Sequence, residues 1–164
     1  MIQIRRATYN DLASLAEIQI SSWKNAFKDI LSESELNKYT DSDKCVQILK
    51  NVYNSNIGYL YIADISGKPC AELFWRKGTE IEQSAEIVAL HSVPESWGHG
   101  VGRAIMDKAI NDVYNDGFKI VYLWVFEENK RARRFYEKYG FVADGKSHIS
   151  IYENAIEVRY VLKS

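Results

Sequence analysis

Apolar and polar residues alternate along this chain with two different periods, which predict a mixture of strands and helices. Residues 2–7 alternate as a short strand, and apolar residues then recur at helical spacing over residues 10–24. A further helical region begins at Ser32 or Ser34 and continues through residue 52. The rest of the pattern predicts strands at 58–64, 70–77 and 85–93, a helix at 101–115, a strand at 119–126, a helix at 129–139, and strands at 141–149 and 155–162. This order favours one mixed α/β domain spanning residues 1–164.

The composition is that of an ordinary globular domain. The formal net charge is -1, which gives no general attraction to nucleic acid or to an anionic membrane. The N-terminus lacks the apolar core of a signal peptide, and no apolar run approaches the length of a membrane span. Cys45 and Cys70 form neither a CxxC motif nor a zinc-ligand pattern. We therefore expect buried free thiols, no metal site and a soluble cytoplasmic protein without nucleic-acid or membrane partners.

The most informative segment follows the strand at 85–93, which ends at Pro94. Three alternating glycines, Gly98, Gly100 and Gly102, come next and lead into an amphipathic helix. Glycine lets the backbone approach a ligand closely because it has no Cβ atom. The first N–H groups of a helix have no intrahelical partner and carry the positive end of the helix dipole. The segment therefore predicts a phosphate or pyrophosphate site.

Other interpretations of the glycine segment remain open at this point. Its spacing is GxGxG, whereas dinucleotide-binding folds use GxGxxG. Glu127 and Glu128 nevertheless end the next predicted strand, where a ribose-binding acid would lie, so a nicotinamide-dinucleotide oxidoreductase is one alternative. A turn with a purely structural role is another. The phosphate-loop signature of nucleotide triphosphatases is absent.

A second motif occupies the predicted helix at 129–139. Ala132, Phe135, Tyr136 and Tyr139 fall on one face of this helix, as expected for residues that pack on a core. The basic run at 130–134 points mostly elsewhere and is typical of a solvated helix face. Taken alone, this motif indicates packing only.

Together and in this order, the two motifs resemble the GNAT family of N-acetyltransferases. Gly100 and Gly102 match the family signature Q/R-x-x-G-x-G/A, with Trp97 in the Gln/Arg position, a variant that the family also uses. The second family signature matches the segment Asn129-x-x-Ala132-x-x-Phe135-Tyr136-x-x-x-Gly140-Phe141. The resemblance extends to residues 4–11 and to residues 157–160, and so covers most of the chain.

The resemblance implies a fold and a co-substrate. The fold is a mixed α/β domain whose central, mostly antiparallel sheet splays open between two adjacent parallel strands, at 85–93 and 119–126, with helices on both faces. Acetyl-CoA (coenzyme A as carrier) lies in the gap, where its pantetheine amides pair with free strand backbone as an added strand would. The implied cofactor-binding residues are Leu90, His91 and Ser92 for the pantetheine, Gly98, His99, Gly100, Val101, Gly102 and Arg103 for the pyrophosphate, and Asn129 and Tyr136 along the pantetheine arm.

The implied reaction is direct attack of a primary amine on the acetyl thioester. Because most of an ordinary amine is protonated at neutral pH, a base is needed. Glu86 occupies the position of the general base in some family members, although a strand-edge salt bridge is the alternative reading. His91 is a second candidate, but a regular strand directs it to the face opposite Glu86 unless a bulge intervenes. Glu127 and Glu128 are further candidates. Tyr136 matches the tyrosine that protonates the departing CoA thiolate.

The acceptor site is expected from residues 23–39 and the loop at 148–154, which contain aromatic and acidic side chains. The sequence does not distinguish a small amine from a protein or peptide amine. A non-catalytic acyl-CoA-binding module that uses the same pocket remains an alternative function. An exposed terminal strand leaves a homodimer open.

Overall fold

The computed structural model describes residues 1–164 and contains seven strands and five α-helices. In chain order these are β1 (Ile2–Arg6), α1 (Leu12–Ala26), α2 (Glu33–Tyr39), α3 (Ser42–Ser55), β2 (Gly58–Ile65), β3 (Lys68–Lys77), β4 (Ser84–Ser92), α4 (Val101–Asn115), β5 (Ile120–Phe126), α5 (Lys130–Tyr139), β6 (Val142–Ile149) and β7 (Ile156–Lys163). Short 3₁₀ turns precede α1 at Tyr9–Asp11 and α4 at Pro94–Ser96. No helix among them is both long enough and apolar enough to cross a lipid bilayer.

All seven strands form one sheet in the order β1-β2-β3-β4-β5-β7-β6, in which β4 and β5 are the one parallel pair. This pair is short, because it runs only from Ser84 opposite Ile120 to Ile87 opposite Leu123. Beyond that point β4 continues against β3, and β5 continues against β7. The facing edges of β4 and β5 therefore separate, which confirms the predicted splayed sheet.

Helices cover both faces of the sheet, as predicted. On one face, α4 and α5 close a core that includes Leu73, Trp75, Ile105, Met106 and Leu123. On the other face, α1 and α3 close a second core, which comprises Leu12, Leu15, Ala16, Ile18, Cys45, Leu49, Leu60, Ile62 and Phe74. Each large apolar side chain that folding buries contributes about 1.5–3 kcal/mol. The sheet is thus anchored on both sides around the gap.

A β-bulge at Val88 changes the faces on which the side chains of β4 lie. Trp75 lies opposite Ile87, whereas the preceding residue of β3, Phe74, lies opposite Ala89. Val88 is the additional residue, and it shifts the alternation of every later side chain by one position. His91 consequently lies on the same face of the sheet as Glu86, towards α1. The bulge that the sequence left open as the exception is therefore present, and it replaces the alternation of a regular strand.

The single helical region predicted after residue 32 is two helices. Ser32 caps α2 as predicted, since its hydroxyl accepts a hydrogen bond from the Glu35 amide at 3.1 Å. The chain then turns at Thr40, and Asp41 caps α3 by accepting from the Lys44 amide at 2.9 Å. Asp41 is a preferred N-cap residue, and its cap begins a new helix within one continuous apolar pattern.

The two cysteines, Cys45 and Cys70, are free and buried, as predicted. They belong to the two different cores on opposite faces of the sheet. Burial raises the pKa of both thiols. Both therefore stay protonated and weakly nucleophilic at neutral pH.

Candidate active site

The turn between β4 and α4 takes a backbone conformation that favours glycine. Gly98 has φ of 80° and Gly100 has φ of 85°, both in the left-handed region. A Cβ atom at either position would meet no atom within 4 Å, so it is the backbone conformation, and not crowding, that favours glycine there. The turn leaves an open, concave backbone surface at the start of α4.

Several amide groups on this surface have no hydrogen-bond partner in the backbone. The first bond of α4 runs from the Ala104 amide to the Gly100 carbonyl at 3.0 Å. The N–H groups of Val101, Gly102 and Arg103 precede it and have no helical partner. The amides of Gly98 and Gly100 make no backbone bond either. These five amides are a ready receptor for an anion.

His99 does not share this property. Its amide donates to the Ser96 carbonyl at 3.2 Å, and its side chain is absent from the lining of the adjacent cavity. The His99 N–H is therefore already bonded within the protein, and its contact with the pyrophosphate stays a prediction. This i to i+3 bond belongs to the turn that follows the 3₁₀ segment Pro94–Ser96, and it accounts for the difference.

A cavity of about 340 Å³ opens beside the free amides, between the glycine turn and α5. Three cationic side chains line it, from Arg103, Arg131 and Lys138, and none of the lining residues is a carboxylate. Leu90 and Ser92 of β4 form part of its wall. The cavity combines free amides with unopposed positive charge, which suits a ligand with several phosphate groups.

A second cavity, of about 170 Å³, lies in the gap between β4 and β5. Leu90, Arg131, Ala132 and Tyr136 line both cavities. Tyr136 is buried, and its hydroxyl makes no hydrogen bond within the protein. Burial raises the pKa of Tyr136 to about 12, so the hydroxyl remains protonated at neutral pH. A neutral proton donor therefore stands at the junction of the two cavities.

Asn129 both begins α5 and lines the second cavity. Its side-chain oxygen accepts a hydrogen bond from the Ala132 amide at 3.2 Å. This cap uses the acceptor end of the side chain and leaves the NH₂ group free to donate. Asn129 can thus donate to a ligand in the gap, and the pantetheine contact that the resemblance implies for it stays a prediction.

His91 lies in the wall of the second cavity and has a partner on each ring nitrogen. Its Nδ1 is 2.7 Å from Oε1 of Glu72, and its Nε2 is 3.1 Å from the indole Nε1 of Trp23. Because an indole N–H is a donor only, Nε2 must be the acceptor and Nδ1 carries the proton. The buried Glu72 carboxylate was missed at the sequence level, since only the pairing of β3 with β4 brings it to His91.

Glu86 has a different environment. Its Oε2 accepts two hydrogen bonds from Arg76, at 3.2 Å from Nε and 3.1 Å from Nη2. Glu86 lines neither cavity. This arrangement is the strand-edge salt bridge that the sequence left as its alternative, and the catalytic role of Glu86 stays a prediction.

The outer wall of the second cavity is aromatic. Trp23, Phe27, Phe126 and Tyr152 line it, and their rings meet edge to face at centroid distances of 5.0–5.9 Å. Tyr39 packs behind them, 4.9 Å from the ring of Tyr152. The two segments predicted for the acceptor site, residues 23–39 and 148–154, therefore do meet at this cavity.

Comparison with known proteins identifies the fold and the family. A family model described as the acetyltransferase (GNAT) family matches residues 12–141, which is most of the chain. The chain belongs to this family. The resemblance seen in the sequence is thereby confirmed, and the splayed sheet is the fold of a GNAT domain.

Individual relatives are distant. The chain is 27% identical over 142 residues to an uncharacterized N-acetyltransferase of Methanocaldococcus jannaschii, a match that covers 84% of the chain but 59% of that relative. The chain thus spans less than two thirds of that relative's length. It is 26% identical over 145 residues to spermidine N(1)-acetyltransferase of Thermoplasma acidophilum, covering 85% of the chain and 88% of that protein.

A solved structure shows the same fold. This is the PaiA N-acetyltransferase of Thermoplasma acidophilum in complex with coenzyme A. The match covers 100% of the present chain and 99% of the PaiA chain, with a TM-score of 0.82 and 20% sequence identity. At this identity the match demonstrates a shared fold.

In this GNAT domain, the departure from the family signature has a structural counterpart. Trp97 replaces the Gln or Arg of the signature, and the guanidinium of Arg131 from α5 lies over its ring, 3.5 Å from the centroid. Burial lowers the pKa of Arg131, yet guanidinium stays charged at any working pH. Arg131 therefore adds a cation on the α5 side of the cavity.

The acidic residues of segment 23–39 do not line the second cavity of this GNAT domain. Neither Asp29 nor Glu33 lines the second cavity, and Glu35 is buried in an ion pair with Lys38 at 2.9 Å. The carboxylate in the wall belongs to Glu157 of β7, which lies 3.0 Å from Nε2 of His148. Glu157 could have been suspected only from the pairing of β7 with β5, which places it opposite Phe126.

Proposed function

We propose that this protein transfers an acetyl group from acetyl-CoA to a primary amine. The observation that carries the proposal is the position of Tyr136, whose neutral hydroxyl lies where a cation-lined cavity meets an aromatic one. Membership of the GNAT family and relatives named as N-acetyltransferases support it. The two cavities give the donor and the acceptor separate places that share one proton-donating group.

We assign acetyl-CoA to the first, cation-lined cavity and call it the donor cavity; the second, aromatic-lined cavity is the acceptor cavity. Five free amides at the start of α4 and the cations of Arg103, Arg131 and Lys138 would hold the phosphate groups. The edge of β4 that faces the gap would pair with the pantetheine amides, and the Asn129 NH₂ group would donate to the same arm. When bound, acetyl-CoA supplies an acetyl group activated as a thioester.

Two proton transfers are then needed, one on each side of the point where the two cavities meet. Tyr136 holds a proton at Oη, where a hydrogen bond to developing negative charge accelerates the chemical step. A base on the acceptor side must take a proton from the amine. Glu86 is the candidate that the resemblance indicates, and His91 is the candidate that lines the acceptor cavity.

The acceptor we propose is a small-molecule amine. The second cavity has a volume of about 170 Å³, which accommodates a side-chain-sized group, and its aromatic wall offers ring faces against which a cation is stabilised. Glu157 adds one carboxylate to this wall. A relative named as a spermidine N(1)-acetyltransferase supports an acceptor of this class.

A ligand comparison tests the donor half of the proposal. A ligand that binds only the native state stabilises it and so raises the melting temperature. At a free ligand concentration of a hundred times Kd, the free energy of unfolding increases by about 2.7 kcal/mol. We expect acetyl-CoA and CoA to raise the melting temperature, and NAD and NADP to leave it unchanged. Stabilisation by NAD or NADP alone would instead favour the dinucleotide-binding interpretation of the glycine turn.

A further inference from the structure

The geometry points to His91 as the general base of this site and to Glu72 as the residue that positions it. This inference rests on the proposed acetyl transfer to an amine and names the group that accepts the amine's proton. His91 lines the acceptor cavity together with Tyr136, so the proton acceptor and the proton donor border one space. Glu86, in contrast, is bonded to Arg76 and lines neither cavity.

Glu72 fixes the orientation and tautomer of His91. It lies directly opposite His91 in the β3–β4 ladder, and its side chain is only 3% exposed. Its Oε1 accepts the Nδ1 proton at 2.7 Å, which leaves the lone pair on Nε2. When Nε2 takes a proton, the positive charge that develops on the ring is next to the Glu72 carboxylate. A buried carboxylate that has no cationic partner in the resting state is thereby neutralised during proton transfer.

The bulge at Val88 makes this arrangement possible. Without the additional residue, the side chain of His91 would point to the α4 face, away from Trp23 and from the α1 side of the gap. With it, His91 faces the acceptor cavity on the same side as Trp23 of α1 and Phe27, which follows that helix. The β-bulge at Val88 therefore orients the His91 side chain towards the acceptor cavity.

Trp23 marks the place of the acceptor nitrogen. Its indole N–H is the donor now bonded to Nε2, at 3.1 Å. An amine N–H that enters the cavity takes this position, and the indole must move aside by a rotation of its side chain. In the transfer itself, the N–H bond of the amine breaks, its proton bonds to Nε2, and the electron pair stays on the amine nitrogen.

The charged and titratable groups around His91 come from four elements of the fold and from the loop before β7. They are Glu72 on β3, Cys45 on α3 beside Glu72, Arg131 and Tyr136 on α5, Tyr152 before β7 and Glu157 on β7. Among these, only Glu72 makes a hydrogen bond to the imidazole. The Glu72 variant therefore isolates the proposed positioning effect.

Kinetics of matched variants test the base. His91→Gln should lower kcat by about a hundred-fold and remove the acid limb of the pH profile of kcat/KM. Glu72→Gln keeps the shape but loses the charge, and should lower kcat by about ten-fold or more and move the acid limb to lower pH. Glu17→Gln, on the exposed face of α1, should leave both unchanged. In all three variants we expect the thermal shift produced by acetyl-CoA to be retained.

A spectroscopic measurement tests the same inference without acetyl transfer. The ¹⁵N chemical shifts of the His91 ring should show a protonated Nδ1 and an unprotonated Nε2. The Trp23 indole proton should show a hydrogen bond, and its NMR signal is assigned by its loss in Trp23→Phe. An Nε2–H tautomer overturns the inference, as does a His91→Gln variant with the wild-type pH profile. If wild-type protein acetylates no amine, the proposed function fails and the base with it. An active wild type with an unaltered His91→Gln profile overturns the base alone.

Discussion

The guanidinium of Arg131 lies 3.5 Å from the ring centroid of Trp97 and joins helix α5 to the glycine turn before α4. The two family signatures are therefore in direct contact, although more than thirty residues separate these two side chains in the sequence. Because Arg131 lines both cavities, the contact fixes a cation where the donor and acceptor spaces meet. The cationic lining of the first cavity thus comes from two helices, with Arg103 on α4 and with Arg131 and Lys138 on α5.

Replacement of Arg131 by glutamine should weaken donor binding. The change removes one of three cations and the stacking on Trp97, which together are worth about 1–2 kcal/mol, or roughly a 5- to 30-fold rise in KM for acetyl-CoA. Arg134→Gln is the matched control, because Arg134 lies on the same helix but, unlike Arg131, lines neither cavity. Equal effects of the two variants would show that only general charge matters.

Two glycines of the turn should respond differently to alanine. Gly100 has φ of 85°, where an L side chain costs about 1–2 kcal/mol, so Gly100→Ala should raise KM for acetyl-CoA by roughly 5- to 30-fold. Gly102 lies inside α4 with helical geometry, and an added Cβ would make an ordinary contact with Phe135 at 3.4 Å. Gly102→Ala should therefore change KM by less than about three-fold, since this contact needs no movement of the backbone. Steady-state kinetics and melting temperatures distinguish the two; a Gly102→Ala defect as large as that of Gly100→Ala would contradict the account.

Tyr136→Phe should impair the chemical step and not donor binding. Loss of the hydroxyl removes a proton donor that acts on charge developing in the reaction, so kcat should fall by about ten-fold or more while the acetyl-CoA Kd changes little. The pKa of about 12 means that Tyr136 causes no alkaline limb near neutral pH in the wild type. Tyr139→Phe is the control, because the Tyr139 hydroxyl is already bonded to Asp107 at 2.6 Å. An unchanged kcat for Tyr136→Phe across the pH profile would remove Tyr136 from the mechanism.

Much of the donor site is predictable because its signals are local. Helix α4 has the predicted bounds, since Gly100 begins it in a left-handed conformation and Gly117 follows its end with φ of 94°. Helical spacing predicts the packed face of α5 that carries Tyr136, and Asn129 caps this helix as predicted, whereas their roles come from the family resemblance. Strand bounds were likewise within a few residues, because turns with glycine or proline separate the apolar runs.

The acceptor side is less predictable because long-range pairing builds it. The bulge at Val88 lies in a run of apolar residues with no glycine to mark it, yet it decides the face of His91. Trp23 and His91 are 68 residues apart in the sequence, yet their side chains are hydrogen-bonded. Glu72 reaches His91 only through the register of β3 with β4. Glu157 reaches the cavity through a pairing of β7 with β5 that no local pattern specifies.

Asp11 should stabilise the fold in a pH-dependent way. It accepts hydrogen bonds from Arg5 and from the Thr8 amide, and the Arg5 bond holds the pKa of Asp11 well below its ordinary value of 3.8. A lowered pKa contributes stability that is present above pH 3.8 and is lost as the pH falls through the lowered value.

Asp11→Asn should therefore lower the free energy of unfolding by about 1 kcal/mol at pH 7. The difference from the wild type should shrink steadily as the pH falls below 3.8. Urea unfolding at a series of pH values measures this, with Asp29→Asn as the control, because Asp29 is exposed and makes no side-chain hydrogen bond. A difference that is constant with pH would show that the charge of Asp11 plays no part.

The most direct measurement of the central claim is CoA release from acetyl-CoA in the presence of a panel of amines, with the acetylated product identified by mass spectrometry. The panel should include polyamines, amino acids, aminoglycosides and peptides with free N-termini or lysines. The account predicts that at least one small-molecule amine gives CoA and an N-acetyl product in equal amounts, and that Tyr136→Phe slows both together. Binding of acetyl-CoA without product from any amine would contradict it and would instead identify a non-catalytic acyl-CoA-binding module.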